Sequence, residues 1–272
     1  MGILHAGLKF ANKLCAVFNR RILLVPIPAY GDTKNKIMLN IGAGNWREKG
    51  WTNLDFPSEW YKKAQVSNFT PFDIRSDNIP YPDNSVDLIY CSHVIEHIEN
   101  VHIERFFSEC HRVLKSRGGI RLTCPDAEFL YNVAKHDTDY WEFLRNWSYK
   151  FCTGHETIRG VDYLVGETAT PKMLQHIHSI NREDYMPCFE SMDMYDFFEH
   201  MTGDLVFQEK FPFHHINYWT FDKIKRFLVS AGFRPERIIH SKWSASIHKH
   251  MADIGKFDTT YPVMSLYVDA VK

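Results

Sequence analysis

The sequence has no pair of cysteines at C-x-x-C spacing and no apolar run near the roughly 18 residues that a membrane span requires. Its six cysteines, at 15, 91, 110, 124, 152 and 188, are scattered, and three fall in or beside expected core elements. Reduced thiols in a cytoplasmic protein are the simplest account. The chain also lacks an excess of charge of either sign. A formal net charge of -1 gives no reason to expect nucleic acid or an acidic membrane surface as partner. No internal repeat or low-complexity segment interrupts the sequence. What remains is 272 residues, 44% of them hydrophobic, enough for one large domain or a domain with a big insertion.

The stretch from Lys36 to Asp55, K-I-M-L-N-I-G-A-G-N-W-R-E-K-G-W-T-N-L-D, organises the rest. Ile37, Met38, Leu39 and Ile41 form a short apolar run that ends on Gly42 and Gly44. That pattern predicts a buried parallel strand entering a tight turn. The glycines let the backbone turn sharply and come close to a ligand. After a second short run, Asp55 is placed where a carboxylate accepts hydrogen bonds from both ribose hydroxyls. The third glycine of G-x-G-x-x-G is missing, because Arg47 stands there. Asp55 also follows Gly44 at about half the usual spacing of roughly 20 residues. Both departures argue against a pyrophosphate-bearing dinucleotide and for a cofactor with ribose and adenine but no phosphate.

Residues 1–30 carry Leu4, Leu8, Ala11, Leu14 and Phe18 at helical spacing. Arg20 and Arg21 follow the first apolar stretch and no small-residue cleavage site comes after, so a signal peptide is not expected. Gly2 lacks the Ser or Thr at position 6 that myristoylation needs. The segment reads as a helix packed on the domain or lying over the cofactor. Its apolar face with Lys9, Lys13, Arg20 and Arg21 also offers a peripheral membrane contact.

Further along, P-S-E-W-Y-K-K-A suggests a short helix, and V-S-N-F-T-P-F-D-I is a polar stretch that ends on Asp73 and Ile74. S-V-D-L-I-Y-C-S, Ser85 to Ser92, predicts a central strand. H-V-I-E-H-I then opens a helix to about Leu114 that stops at S-R-G-G, and I-R-L-T-C-P is the next strand. From Asp126 to about His215 the alternation breaks down. This part contains the helical patterns A-E-F-L-Y-N-V-A and M-Y-D-F-F-E-H-M, and about one residue in five is aromatic. Regular structure resumes with a helix over Thr220–Ala231, ended by Gly232, and the strands R-I-I-H-S and M-S-L-Y-V-D-A-V. Alternating strands and helices indicate an α/β sheet with ligand sites at the strand carboxyl ends.

The series I-G-A-G, G-W-T-N-L-D, F-D-I, S-V-D-L-I-Y-C-S-H-V-I-E-H, H-R-V-L-K-S-R-G-G-I-R-L-T-C-P-D and W-T-F-D-K-I-K-R-F-L-V-S-A-G-F resembles class I methyltransferases that use S-adenosylmethionine. It is most similar to the type-11-like group found among surface-polysaccharide enzymes. The likeness covers about Lys36–Asp126 and Trp219–Lys272. It departs at R-V-L-K-S-R-G-G, one residue longer than the family's R-V-L-K-P-G-G, and it does not cover the aromatic insertion.

The resemblance implies a Rossmann-like doubly wound sheet of seven strands, order 3-2-1-4-5-7-6, with the last strand antiparallel and a mostly helical insertion. Together with the aromatic insertion, this reading divides the chain into an N-terminal helical segment 1–35, a methyltransferase domain 36–125 and 216–272 that binds the cofactor, and an inserted acceptor-binding cap 126–215. By that likeness Gly42 and Gly44 face the methionine part of S-adenosylmethionine. Asp55 holds the ribose diol with Phe56 beside the adenine. Asp73 and the Ile74 backbone meet the adenine edge, and Ser92 and His93 line the cofactor after the fourth strand.

His93-Val-Ile-Glu96-His97 also spells H-x-x-E-H, a zinc-peptidase pattern. Its place directly after a strand favours the methyltransferase reading, and no metal is expected; a magnesium ion on Glu96 and His97 is the milder form of the idea. The pairs His214-His215, His176-x-His178 and His248-x-His250 read as surface or core histidines. A hydroxyl acceptor benefits from a base near neutral pKa. His97, His215, His214 and Asp126 are the candidates, the first two ahead. The function expected is methyl transfer from S-adenosylmethionine to a hydroxyl of a sugar or glycan, in the cytoplasm or at the inner face of the membrane. An N- or O-methyltransferase of a small metabolite, a zinc hydrolase and a non-catalytic binding module are the alternatives. The insertion's Tyr140, Trp141, Trp147, Tyr149, Tyr163 and Tyr185 are offered as sugar-stacking rings.

Overall fold

A computed structural model describes residues 35–61, 69–136, 139, 160–176, 179–180, 182–253 and 255–272. The reading of residues 1–34, and with it Cys15, lies outside these, as do Cys152, Tyr140, Trp141, Trp147 and Tyr149.

Strand β1, Met38–Ile41, is buried at every position and lies between β2, Trp51–Asp55, and β4, Val86–Ser92. Helices and loops cover both faces of such a strand, which is why it reads as an unbroken apolar run. Ile41 pairs with Leu54 on one side and with Cys91 on the other, all in parallel. The carboxyl ends of three strands are thereby level, and Gly42, Asp55 and His93 emerge side by side.

The sheet is completed by β3, Thr70–Pro71, β5, Leu114–Pro125, β8, Ile238–His240, and β9, Ser265–Val271. Its order is β3-β2-β1-β4-β5-β9-β8. Strand β9 runs antiparallel to both neighbours. This is the seven-stranded arrangement with an antiparallel last strand that the sequence implied. Fully buried Arg121 on β5 stands opposite Asp269 on β9 and is paired with Asp269 and Asp258. A buried guanidinium without such partners would be very costly.

Three local readings are corrected. Helix α1 spans Asn100–Val113 and does not begin at His93; a separate 3-10 turn covers Ile95–His97. The cause is a competition for carbonyls. The Glu96 oxygen accepts from the Ile216 and Asn217 amides, and the Ile98 oxygen from Asn217 Nδ2. In a continuous helix those oxygens would serve the amides four residues on.

The S-R-G-G stretch does not end the helix. Leu114 is already extended, and the glycines lie within β5. Val86 faces Leu114 while Leu88 faces Gly119, so Lys115–Gly118 bulges out of the ladder. The described part of P-S-E-W-Y-K-K-A, up to Tyr61, is loop and turn.

The insertion contains α2, Ala127–His136, α3, Gly160–Gly166, α4, Thr170–Met173, α5, Arg182–Ser191, and α6, Met194–Thr202, with a small antiparallel pair β6, Leu174–His176, and β7, Ser179–Ile180. It packs around a second hydrophobic core that includes Leu130, Leu164, Tyr185 and Phe197. Helix α7, Phe221–Ser230, is capped by the Thr220 hydroxyl and buries Ile224 and Leu228 in the sheet core.

Candidate active site

A cleft opens at the carboxyl edge of β1, β2 and β4. Gly42, Gly44, Asp55, Phe56, Asp73, Ile74, His93 and His97 all line it. One wall is built by short-range contacts. Gly42 has φ +71, and a Cβ there would stand 2.1 Å from Val94 Cγ2; both facts demand glycine. Gly44 has φ +51 with nothing within 4 Å of where its Cβ would be. Its amide donates to Asp55 Oδ2 at 2.9 Å, and the Phe56 amide donates to Oδ1. A carboxylate oxygen can accept more than one hydrogen bond.

Asp73 closes its own turn. Its Oδ1 accepts from the amide and Nε of Arg75, and Oδ2 from Arg75 Nη2. Although burial works the other way, these bonds hold its carboxyl below the usual range. The Arg75 guanidinium lies 3.9 Å from the Phe207 ring centre and 5.1 Å from that of Phe56. Phe207 and Pro212 of the insertion line the same cleft. The insertion thus contributes two side chains to the border of this cleft. Tyr61, whose hydroxyl burial pushes up to about 12, lines the cleft as well.

The opposite wall is assembled from distant segments. His93 has φ +54, unusual for a residue with a side chain. Its Nε2 meets the Ser265 hydroxyl at 2.9 Å and its Nδ1 stands 3.2 Å from Glu96 Oε1. Glu96 is only 1% exposed. Burial alone would raise its carboxyl, yet His93, His97 and His215 around it bring it down to about 2.

His97 Nδ1 donates to the His214 carbonyl at 3.0 Å, and its ring meets the His215 ring edge-on at 4.7 Å. Burial, then the neighbouring His215, lowers His97 to about 4. His215 Nδ1 donates to the Glu167 carbonyl at 2.9 Å, and the His215 backbone is clasped by Thr170 through two hydrogen bonds. Burial lowers His215 also, and pushes the Glu167 carboxyl up to about 7.

The structure thus brings His97 and His215 together behind the cleft. The His214 ring stacks on Phe211, and only its carbonyl serves His97. Asp126 is not with them: its carboxylate caps α2 through the Phe129 amide, and burial raises it to about 6. Ser92 is absent from the cleft lining, its hydroxyl bonded to that of Thr123. His248 and His250 border a different cleft with Lys36. Without a helix over His93–His97, the two histidines of H-x-x-E-H do not share a helical face, and the peptidase arrangement is not formed. Arg75, Phe207 and Glu167 carried no signal in the sequence, since each is defined by a partner from another segment.

Residues 51–122, about a quarter of the chain, match the family model of a methyltransferase domain. The match runs from β2 into β5 and includes Asp55, Asp73 and the histidine turn. No curated protein matches in sequence. Among solved structures, an S-adenosylmethionine-dependent methyltransferase from Mesorhizobium loti is similar at 14% identity over 89% of this chain and 94% of that one, TM-score 0.42. A methyltransferase from Archaeoglobus fulgidus has 14% identity over 97% and 94%, TM-score 0.42. Human N-acetylserotonin methyltransferase with S-adenosylmethionine bound has 13% identity over 90% and 50%, TM-score 0.42. Residues 51–122 thus match a methyltransferase domain, and they lie within a seven-stranded sheet of order β3-β2-β1-β4-β5-β9-β8.

Proposed function

We propose that the chain methylates a hydroxyl group, and that the acceptor is a sugar or glycan. The observation that carries the hydroxyl reading is His97. Its ring lines the cleft, is uncharged above about pH 4, and has Nδ1–H committed to the His214 carbonyl. The other nitrogen therefore carries the lone pair. When bound, S-adenosylmethionine supplies a methyl group on a positively charged sulfur. The protein's part is to align the acceptor oxygen with that methyl, exclude water and draw the acceptor proton toward the His97–His215 wall. As oxygen bonds to carbon, the carbon–sulfur pair returns to sulfur.

In this reading Asp55 holds the ribose diol, Asp73 and Ile74 meet the adenine edge, and Gly42 and Gly44 border the methionine part. The segment 126–215 forms the acceptor cap. The sugar class is supported by the likeness to polysaccharide-associated enzymes and by the insertion's aromatic content. Tyr185 is not one of the stacking rings, because it is fully buried and its hydroxyl is bonded to Asp162. Tyr163 is half-buried.

The test is release of S-adenosylhomocysteine by the purified chain with a panel of sugar hydroxyls, phenols and amines. Turnover is expected with a sugar acceptor. Turnover restricted to an amine would overturn the hydroxyl reading, and turnover restricted to phenols the sugar reading.

A further inference from the structure

We propose that Glu96, His97 and His215 bind a divalent transition-metal ion at the acceptor wall of the cleft. Each offers one ligand atom, and the three atoms lie within 4.8 Å of one another. An ion at the ~2.1 Å distance usual for such ligands spaces them roughly 3–4 Å apart, so a modest side-chain rotation closes the set.

Two independent features point to a ligand. The first is the state of Glu96. It is 1% exposed, and neither carboxylate oxygen has a hydrogen-bond partner among the described residues; Oε1 only meets the His93 ring across 3.2 Å. A buried carboxylate with so little compensation is costly unless a cation stands beside it.

The second is the orientation of both histidines. His97 Nδ1 donates to the backbone carbonyl of His214, and His215 Nδ1 to that of Glu167. A ring that gives its Nδ1 proton to a backbone carbonyl has its lone pair on Nε2. This is the outer-sphere arrangement of metal-binding histidines, which fixes tautomer and ring direction. Two imidazoles with one carboxylate suit zinc, iron, cobalt or nickel, and not magnesium, which favours oxygen ligands.

The site differs from the H-x-x-E-H pattern. His93 is turned to Ser265 and Glu96, and the second imidazole comes from His215, at the end of the insertion. The Thr170 clasp on the His215 backbone and the Ile216 amide on the Glu96 carbonyl hold the two halves together. The inference deepens the hydroxyl-methylation reading and rests on it for purpose: with the ion bound, the His97 lone pair would serve as ligand in place of its role as base, and an acceptor hydroxyl that joined the ion would lose its proton to solvent near neutral pH, leaving its oxygen to attack the methyl carbon.

The test uses the full chain stripped with a chelator and desalted. Cobalt(II) and zinc are titrated separately against a chromogenic chelator, and S-adenosylmethionine binding is measured by calorimetry on the same protein. One ion per chain is expected, weakened at least about tenfold in both His215→Ala and Glu96→Gln. Cofactor affinity in those variants should stay within a few-fold. Should either variant fail to fold, the wild-type cobalt form decides. Its proton NMR spectrum should contain two hyperfine-shifted exchangeable N–H signals, one from each Nδ1. Absence of a saturable site, or a site indifferent to both substitutions, overturns the proposal. Cofactor binding and methyl transfer without metal binding would sink the metal site alone. Metal binding without transfer to any hydroxyl would sink the functional reading and leave the ion site standing.

Discussion

The two walls of the cleft are made in opposite ways. On the wall proposed for the cofactor the chain contacts itself at short range: Gly44 reaches Asp55 across 11 positions and Asp73 holds Arg75 across two. On the wall proposed for the acceptor His97 bonds to a carbonyl 117 positions away, and Asn217 bonds to Ile98 across 119. The first wall follows from strand ends and turn glycines, which any chain with this local pattern will form. The second exists only if the insertion folds and returns to the sheet edge in one register. Changes on the two walls should therefore fail differently: loss of cofactor affinity on one, loss of turnover on the other.

The largest separation is expected for His97→Ala. Losing a group that draws the acceptor proton costs about 10²–10⁴-fold in turnover. Calorimetry should find S-adenosylmethionine bound within a few-fold of wild type. If affinity collapses together with turnover, the walls do not act independently.

Asp55→Ala should do the reverse. It removes two charge-assisted bonds to the ribose, each worth roughly 1.5–3 kcal/mol, and affinity should fall at least about tenfold. A folded Asp55→Ala protein that binds the cofactor as wild type would refute the placement of the ribose.

Phe207→Ala sharpens the comparison, because Phe207 is an insertion residue on the cofactor side. It flanks Arg75 and meets Phe56 edge-on at 5.7 Å. Such contacts are worth about 0.5–1.5 kcal/mol, so a several-fold loss of cofactor affinity is expected. No change in calorimetric affinity would confine the insertion to the acceptor side.

The last expected effect is on stability, not on affinity or turnover, and concerns the scaffold behind the proposed acceptor wall. Lys223 is 2% exposed and bonds through Nζ to Asn217 Oδ1. Burial lowers its pKa to about 7 from 10.5. Between those values the unfolded chain keeps a proton that the folded chain has shed, so this group adds stability as pH rises. Urea unfolding at pH 7 and 9 should find wild type gaining on Lys223→Met by at most about 1.4 kcal/mol per pH unit. A difference that stays flat, or shrinks with rising pH, would show that Lys223 is charged throughout.

Much of the fold was legible in the primary structure because it depends on periodicity. The runs at Met38–Ile41 and Val86–Ser92, the cap at Thr220 and the stop at Gly232 are local patterns, and each lies where expected. The misread stretches share one cause. Whether His93–His97 continues into α1 depends on who takes the Glu96 and Ile98 carbonyls, and the takers are Ile216 and Asn217. Whether S-R-G-G ends a helix or bulges from a strand depends on the register of β5 against β4.

The sequence by itself determined an α/β sheet, its carboxyl edge and the grouping of Gly42, Gly44 and Asp55 along it, because hydrophobic period and turn chemistry act over a few residues; Asp73 joined them only through the family resemblance. Only the tertiary structure decided which histidines meet. It turned His93 toward Ser265, set His97 against His215, left Asp126 as a helix cap and seated Phe207 beside Arg75. The physical reason is that a side chain's partner in space is chosen by the packing of whole elements. The spacing of letters around it says nothing about a residue more than a hundred positions away.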